Sequence, residues 1–279
     1  MTFSGPQCCI VSNRGVERNV PVESMAEALE LETGNGAYTV GHTYEHTKVL
    51  LWPEHLERLR SSMSGLGATQ LFSQRALESA MLTLLQHTGW EMARFRIFVP
   101  LDTPEQIILT LEPYADIPEE TRWKGVECVT LPQLSRGDHP ELKQASWGQL
   151  KEEAAAQLPE GIHTGLLLSG QNTLLEGLDS NFFAIRKGEL ITAGDGVLPG
   201  LTQQTVLQIA PSVLPVSLQA LPLDEVETID EAFITSSSRG ILPVVTLDGQ
   251  VIGDGSPGPF SRKLWDAYQG WIQANLTSL

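Results

Sequence analysis

Apolar and polar positions along the chain fall into two rhythms, short β-like runs and longer helical repeats. Residues 7–12, with the apolar run Cys8-Cys9-Ile10-Val11, read as a strand closed by the turn Asn13-Arg14-Gly15. Gly34-Asn35-Gly36 is a turn or bulge leading into Ala37-Tyr38-Thr39-Val40, and Thr47–Trp52 is a further short strand. Pro53 opens a helix whose Leu56, Leu59, Met63 and Leu66 recur at helical spacing until Gly65-Leu66-Gly67 stops it. Ser73–Thr88 repeats that pattern with Leu77, Met81, Leu84 and Leu85, and Ala93–Pro100 with Gln106–Leu111 reads as a strand pair. The first part is therefore expected to be α+β, its helices packed on a mostly antiparallel sheet.

Pro113–Arg122 is polar and contains proline, so residues 116–122 read as a linker between an N-terminal lobe (1–115) and a C-terminal lobe (123–279). In the second lobe, strands are expected at Gly125–Leu131, Gly165–Ser169, Thr173–Glu176, Asn181–Arg186, Glu189–Thr192, Glu231–Ser236 and Ile241–Leu247. Helices are expected at Ser146–Gln157, Leu201–Ala210 and Gly258–Ala274.

The chain has 279 residues, 41% of them hydrophobic, and a formal net charge of −16. That length supports a large core, in one big domain or two. The acidity argues against nucleic acid and anionic membranes as main partners. No apolar run approaches the roughly 20 residues of a membrane span. The N-terminus lacks a basic segment followed by an apolar stretch, so no signal peptide is expected. Cys8, Cys9 and Cys128 form no Cys-x-x-Cys motif, which suggests a reducing compartment, no structural zinc and a cytoplasmic protein. His46 and His55 show no metal-ligand pattern, and no metal is expected.

Five groups of residues could carry chemistry. Lys143, in Pro140-Glu141-Leu142-Lys143, would be a nucleophile toward an aldehyde if buried, and is otherwise a surface lysine ahead of a helix. Glu176, at the end of an apolar run and before Ser180-Asn181-Phe182-Phe183, could pair with a cationic ring, or simply end a strand in water. Leu198-Pro199-Gly200-Leu201-Thr202 places a Pro-Gly turn at a helix start, where backbone N–H groups and the Thr202 hydroxyl can meet an anion. Thr235-Ser236-Ser237-Ser238-Arg239-Gly240 is a hydroxyl-rich turn after a strand. Arg58 offers a planar fork to a phosphate, or pairs with Glu54 one turn earlier.

The order of these groups is that of a known family. His-x-x-Arg-Leu, then Lys, then Glu-x-x-x-Ser-Asn-x-Phe, then Leu-Pro-Gly-Leu-Thr, then a Ser/Thr turn before Pro-Val resembles the class IV (fold-type IV) pyridoxal-phosphate enzymes. That family includes branched-chain and D-amino acid aminotransferases, R-selective amine transaminases and aminodeoxychorismate lyases. The resemblance runs from Gly34 to about Tyr268. It implies a two-lobed α+β fold with pyridoxal 5'-phosphate between the lobes, and a homodimer. It implies Lys143 as the Schiff-base lysine and proton shuttle, and Glu176 as the partner of the pyridinium nitrogen. Arg58, Leu201, Thr202, Ser236 and Ser237 are implied as the phosphate cup, and Tyr38 as lining the substrate side of the pocket.

Three positions depart from the family pattern: Gln203 stands where arginine is usual, Thr39 where glutamate is frequent, and Val40 where one kind of lyase uses threonine. Arg94 and Arg96 lie two apart on an expected strand and so share a face; one of them, or Arg136, could receive a substrate carboxylate. The activity implied is transamination between an amino acid or primary amine and a 2-oxo acid. The alternative is the lyase reaction that releases pyruvate and 4-aminobenzoate.

Overall fold

The computed structural model describes residues 5–70 and 72–279, and the chain divides into two units. The first takes the residues up to Ala115 together with Leu142–Gly148 and Ala274–Leu279; the second takes Asp116–Glu141 and Gln149–Gln273.

The first unit is built on an antiparallel sheet of seven strands: β1 (Gln7–Ser12), β2 (Gly15–Val20), β3 (Gly36–Tyr44), β4 (Lys48–Leu50), β5 (Ala93–Pro100), β6 (Ile107–Pro113) and β16 (Leu276–Ser278). Their order across the sheet is β16-β4-β3-β5-β6-β1-β2. Three helices accompany it: α1 (Met25–Glu30), α2 (Trp52–Gly65) and α3 (Gln74–Thr88). Alternation along β5 explains the layering. Ala93, Phe95, Ile97 and Val99 point into a core with Leu56, Leu59 and Met63 of α2 and Leu77, Met81, Leu84 and Leu85 of α3. Phe98 turns to the other face, where Cys8, Tyr38 and Ile108 meet it. The helix ends follow local chemistry: the Ser73 side chain accepts from the Ala76 N–H, and Gly89 closes α3 at φ +66°.

In the second unit the strands are β7 (Val126–Leu131), β8 (Ile162–Leu168), β9 (Leu174–Gly177), β10 (Asn181–Arg186), β11 (Glu189–Ile191), β12 (Val216–Ser217), β13 (Glu231–Ser236), β14 (Gly240–Leu247) and β15 (Gln250–Val251). Its helices are α4 (Glu119–Lys124), α5 (Ala145–Ala155, whose first four residues group with the first unit), α6 (Leu201–Ile209) and α7 (Pro259–Asn275). The pairings run β10-β13-β14-β7-β8-β9, and β9 pairs again with β10 through Asn181 and Glu176. Six strands thus close on themselves, which removes their edges. Closure falls at the carboxylate that the sequence marks as functional. The apolar core gathers Cys128, Leu166, Leu174, Phe182, Ala184, Ile234, Leu242 and Val244 from these strands.

The structure differs from the expectations at several points. The expected linker 116–122 groups with the second unit and carries the start of α4, whose Arg122 is 1% exposed. Its guanidinium lies 3.8 Å from the Trp265 ring centroid and donates to the carbonyls of Arg239 and Ile241. Those partners compensate the burial of a cation, and they lie more than 100 residues away, beyond local pattern. The polar strand β2 and the terminal β16 were not anticipated, because neither shows an apolar alternation.

Candidate active site

In the first unit, one helical face organises the site residues. His55, Arg58 and Ser62 stand at i, i+3 and i+7 on α2. Arg58 Nη2 donates to Thr39 Oγ1 at 3.1 Å, and that hydroxyl lies 2.7 Å from His55 Nδ1. Arginine only donates, so Thr39 Oγ1 accepts from Arg58 and joins it to the His55 ring. Burial holds His55 well below the usual imidazole range, and the charges of Arg58, Lys143 and His42 push the same way. The imidazole is therefore neutral and fit to accept. Arg58 thus reaches β3.

Ser62 fixes the lysine. Its Oγ accepts the Lys143 N–H at 3.0 Å, and the Lys143 carbonyl accepts from the Tyr38 N–H at 3.0 Å. Leu142 packs over Gly65, where an added Cβ would come within 2.7 Å of its side chain. These ties explain why residues 142–148 group with the first unit. The lysine Nζ lies 4.9 Å from the Tyr38 ring centroid. Sequence reasoning missed Ser62; the His55-Arg58-Ser62 spacing was its only local signal.

Two of the three candidate arginines for a substrate carboxylate, Arg94 and Arg96, are paired with glutamates in this unit. Arg96 donates to both oxygens of Glu32 at 2.6 Å, with both side chains under 10% exposed, and its guanidinium stacks 4.0 Å from the Tyr38 ring centroid. Arg94 bonds Glu112 at 3.0 Å and is 41% exposed. A substrate carboxylate at Arg96 would have to displace Glu32.

In the second unit the centre is Glu176, 2% exposed. Its Oε1 accepts from the Leu198 N–H at 3.1 Å and lies 3.3 Å from Arg136 Nε; its Oε2 accepts from Asn181 Nδ2 at 3.2 Å. A buried carboxylate is costly unless paired and hydrogen-bonded, and this one is both. Arg136 is 8% exposed and also donates to the Pro140 carbonyl, so it supports Glu176 instead of standing open to a substrate. Asn181 spans to the Leu198 carbonyl at 2.8 Å. That bond locks the turn Leu198-Pro199-Gly200 to the carboxylate.

The two hydroxyl-bearing turns lie in the same unit. Gly200 precedes α6, and its N–H is taken by Gln203 Oε1 at 3.2 Å. Gln203, the departure from the usual arginine, therefore caps its own helix and is 4% exposed. Leu201 and Thr202 follow at the helix N-terminus, 5% and 4% exposed, and Thr202 is hydrogen-bonded to Tyr268. Burial pushes the Tyr268 hydroxyl up to about 12 against that bond, so it stays protonated. Ser236 ends β13, and Ser237 follows in the turn to β14. Asp179 reaches that turn from the β9–β10 connection and bonds Arg239 at 2.5 Å. Burial disfavours the Asp179 charge, but Arg239, Lys151 and His163 outweigh it and hold the carboxyl well below its ordinary range.

Pyridoxal phosphate fits these residues. The Ser180 Oγ and Thr235 Oγ1 atoms are buried with no hydrogen-bond partner, Ser180 four residues after Glu176 and Thr235 next to the last residue of β13. Gly200 is closely packed against the side chain of Asn181, where an added Cβ would come within 2.1 Å of Oδ1. Cys8, Cys9 and Cys128 are buried free thiols, raised by burial and thus poor nucleophiles.

Fold and residues together define a pyridoxal-phosphate-dependent enzyme. The chain belongs to the class IV amino-transferase family, whose sequence model matches residues 36–247. It is 28% identical over 256 residues to the D-alanine aminotransferase of Bacillus licheniformis, covering 86% of this chain and 88% of that protein. It is 32% identical over 123 residues to a probable branched-chain-amino-acid aminotransferase of Aquifex aeolicus, covering 43% and 40%. The fold matches the T.th. branched-chain amino acid aminotransferase solved with pyridoxamine 5'-phosphate, at a TM-score of 0.80 and 21% identity, with 100% and 99% of the chains covered. It also matches 4-amino-4-deoxychorismate lyase from Pseudomonas aeruginosa, at 0.69 and 22%, covering 84% and 90%. The protein is an aminotransferase that uses pyridoxal 5'-phosphate to move an amino group between an amino donor and a 2-oxo acid.

Proposed function

We propose that Lys143 would hold the cofactor through its Nζ, as the lysine of the Schiff-base link, and would carry the proton that leaves the donor's α-carbon. When bound, the cofactor supplies an aldehyde for the amine and a ring that takes up the electron pair left by the departing proton. Glu176 keeps a proton on the ring nitrogen, and its immobilisation by Arg136, Asn181 and the Leu198 N–H is the observation that carries this reading. Arg58, the Leu201 and Thr202 N–H groups, and the hydroxyls of Thr202, Ser236 and Ser237 take the phosphate. Tyr38 lines the substrate side beside Lys143 and limits water there.

The Tyr38 N–H and the Ser62 hydroxyl fix the Lys143 backbone, leaving the side chain to move the proton. D-Alanine is the first donor to test, because the D-alanine aminotransferases of Bacillus licheniformis and Staphylococcus haemolyticus each match along 86% of this chain. The protein is further proposed to act in the cytoplasm as a homodimer. Three free cysteines support a reducing compartment, and light scattering measures the assembly.

The test is the visible spectrum of the purified protein with pyridoxal phosphate, followed by D- and L-amino acids and simple amines added singly. A band that forms and then converts with one donor class, and fails to convert in Lys143→Ala, supports the reading. Near wild-type turnover in Lys143→Ala refutes the lysine assignment. Pyruvate release from aminodeoxychorismate without transamination would replace the transaminase with the lyase.

A further inference from the structure

Arg239 occupies the turn between β13 and β14, four residues before Pro243, and each of its bonds is directed. Its Nη2 is held by Asp179 at 2.5 Å, its carbonyl accepts from Arg122 Nη1 at 2.7 Å, and its Nε donates to Ser236 Oγ at 3.1 Å. Gly240 follows at φ +61°, pressed against Trp265 and Tyr268, where an added Cβ would come within 2.8 Å of the Trp265 ring. The turn is thus anchored from several sides, and the Arg239 guanidinium lies across it with 21% of its side chain exposed.

We propose that Arg239, braced by Asp179, is a positioning residue that orients the Ser236 hydroxyl as a hydrogen-bond donor to the cofactor phosphate. A guanidinium has only donors, so Ser236 Oγ must accept from Nε. A hydroxyl carries one proton, and with a lone pair taken by Nε–H that proton is turned away from the arginine. The neighbouring cation also polarises the O–H bond, which strengthens its donation to a dianion. Asp179 neutralises much of the guanidinium charge, so the effect is carried by the Nε–H direction. The proposal rests on the reading of Ser236 as a phosphate ligand.

The experiment measures, on the full chain stripped of cofactor, the ratio of affinity for pyridoxal 5'-phosphate to affinity for pyridoxal. That ratio isolates the phosphate contribution from folding and from the ring contacts. Ser236→Ala should lower it about tenfold, the size of one hydrogen bond to a charged group. Arg239→Met should lower it by a similar factor, and Arg239→Lys likewise, since lysine keeps the charge but lacks the Nε–H direction. The double variant Ser236→Ala/Arg239→Met should fall no further than Ser236→Ala alone. Multiplying effects in the double variant, an unchanged ratio in Arg239→Met, or full retention in Arg239→Lys would each overturn the proposal. An unchanged ratio in Ser236→Ala would instead overturn the assignment of Ser236 to the phosphate. Should Arg239→Met fail to fold, Arg239→Lys alone and in the Ser236→Ala background gives the same comparison.

Discussion

Replacing Gly200 with alanine should damage the carboxylate site without touching the carboxylate. The new Cβ would stand 2.1 Å from Asn181 Oδ1, far inside any tolerated approach. Asn181 is 5% exposed and has little room to yield, so its amide must leave both the Leu198 carbonyl (2.8 Å) and Glu176 Oε2 (3.2 Å). One of those bonds is to a charged group, worth about 1.5–3 kcal/mol, and the other is neutral, worth about 0.5–1.5 kcal/mol. The expected loss is about 2–4 kcal/mol, or roughly 4–15 °C in melting temperature for a protein of this size. Calorimetry of Gly200→Ala, Asn181→Ala and the double variant measures it. With the asparagine side chain gone the clash is gone, so the double variant should match Asn181→Ala to about 0.5 kcal/mol. Gly200→Ala within about 0.5 kcal/mol of wild type, or strict additivity in the double variant, would refute the reasoning.

Neutral, buried His55 gives a pH signature. Its folded pKa lies well below 6.5, so the unfolded chain binds a proton that the folded one does not, and stability falls as pH drops below 6.5. Urea unfolding should show that fall, and His55→Gln should reduce the slope by up to about 1.4 kcal/mol per pH unit; an unchanged slope would contradict it. Asp179 works with the opposite partner: its folded pKa is depressed, so its stabilisation is complete above the ordinary carboxyl value of 3.8 and is lost as pH falls below it. Asp179→Asn should therefore be less stable than wild type at neutral pH, with the gap closing in acid; at 40% side-chain exposure the pair is screened and the gap is modest. Ser62→Ala should leave the Lys143 N–H without its partner, costing about 1 kcal/mol in stability and lowering kcat more than cofactor affinity, as read from steady-state rates at saturating cofactor.

Much of the fold was legible because burial imposes periodicity. The strand pair β5–β6 and helices α2 and α3 appear in the apolar spacing, since each has one face against a core and one against water. The site was legible differently. Lys143, Glu176 and Arg58 stand out as candidates through the order of their motifs, and nothing in their own surroundings in sequence distinguishes them from surface residues. Arg94, Arg96 and Arg136 were legible as candidates but not in their roles. What an arginine does depends on which carboxylate reaches it, and Glu32 lies 64 positions from Arg96.

The sequence by itself determined the α+β class, most element positions and the residues that match the family. Tertiary structure decided the closing of the second-unit strands at Asn181 and Glu176, the burial of Arg122 under the turn it braces, and the commitment of Arg136 to Glu176. It also decided that Lys143 is tied to α2 and β3. The physical reason is common to all four. Hydrophobic periodicity records which face of an element is dry, a property of neighbouring residues. A buried charge or an orphaned N–H must instead find a partner wherever the chain brings one, and that choice exists only once distant segments have packed.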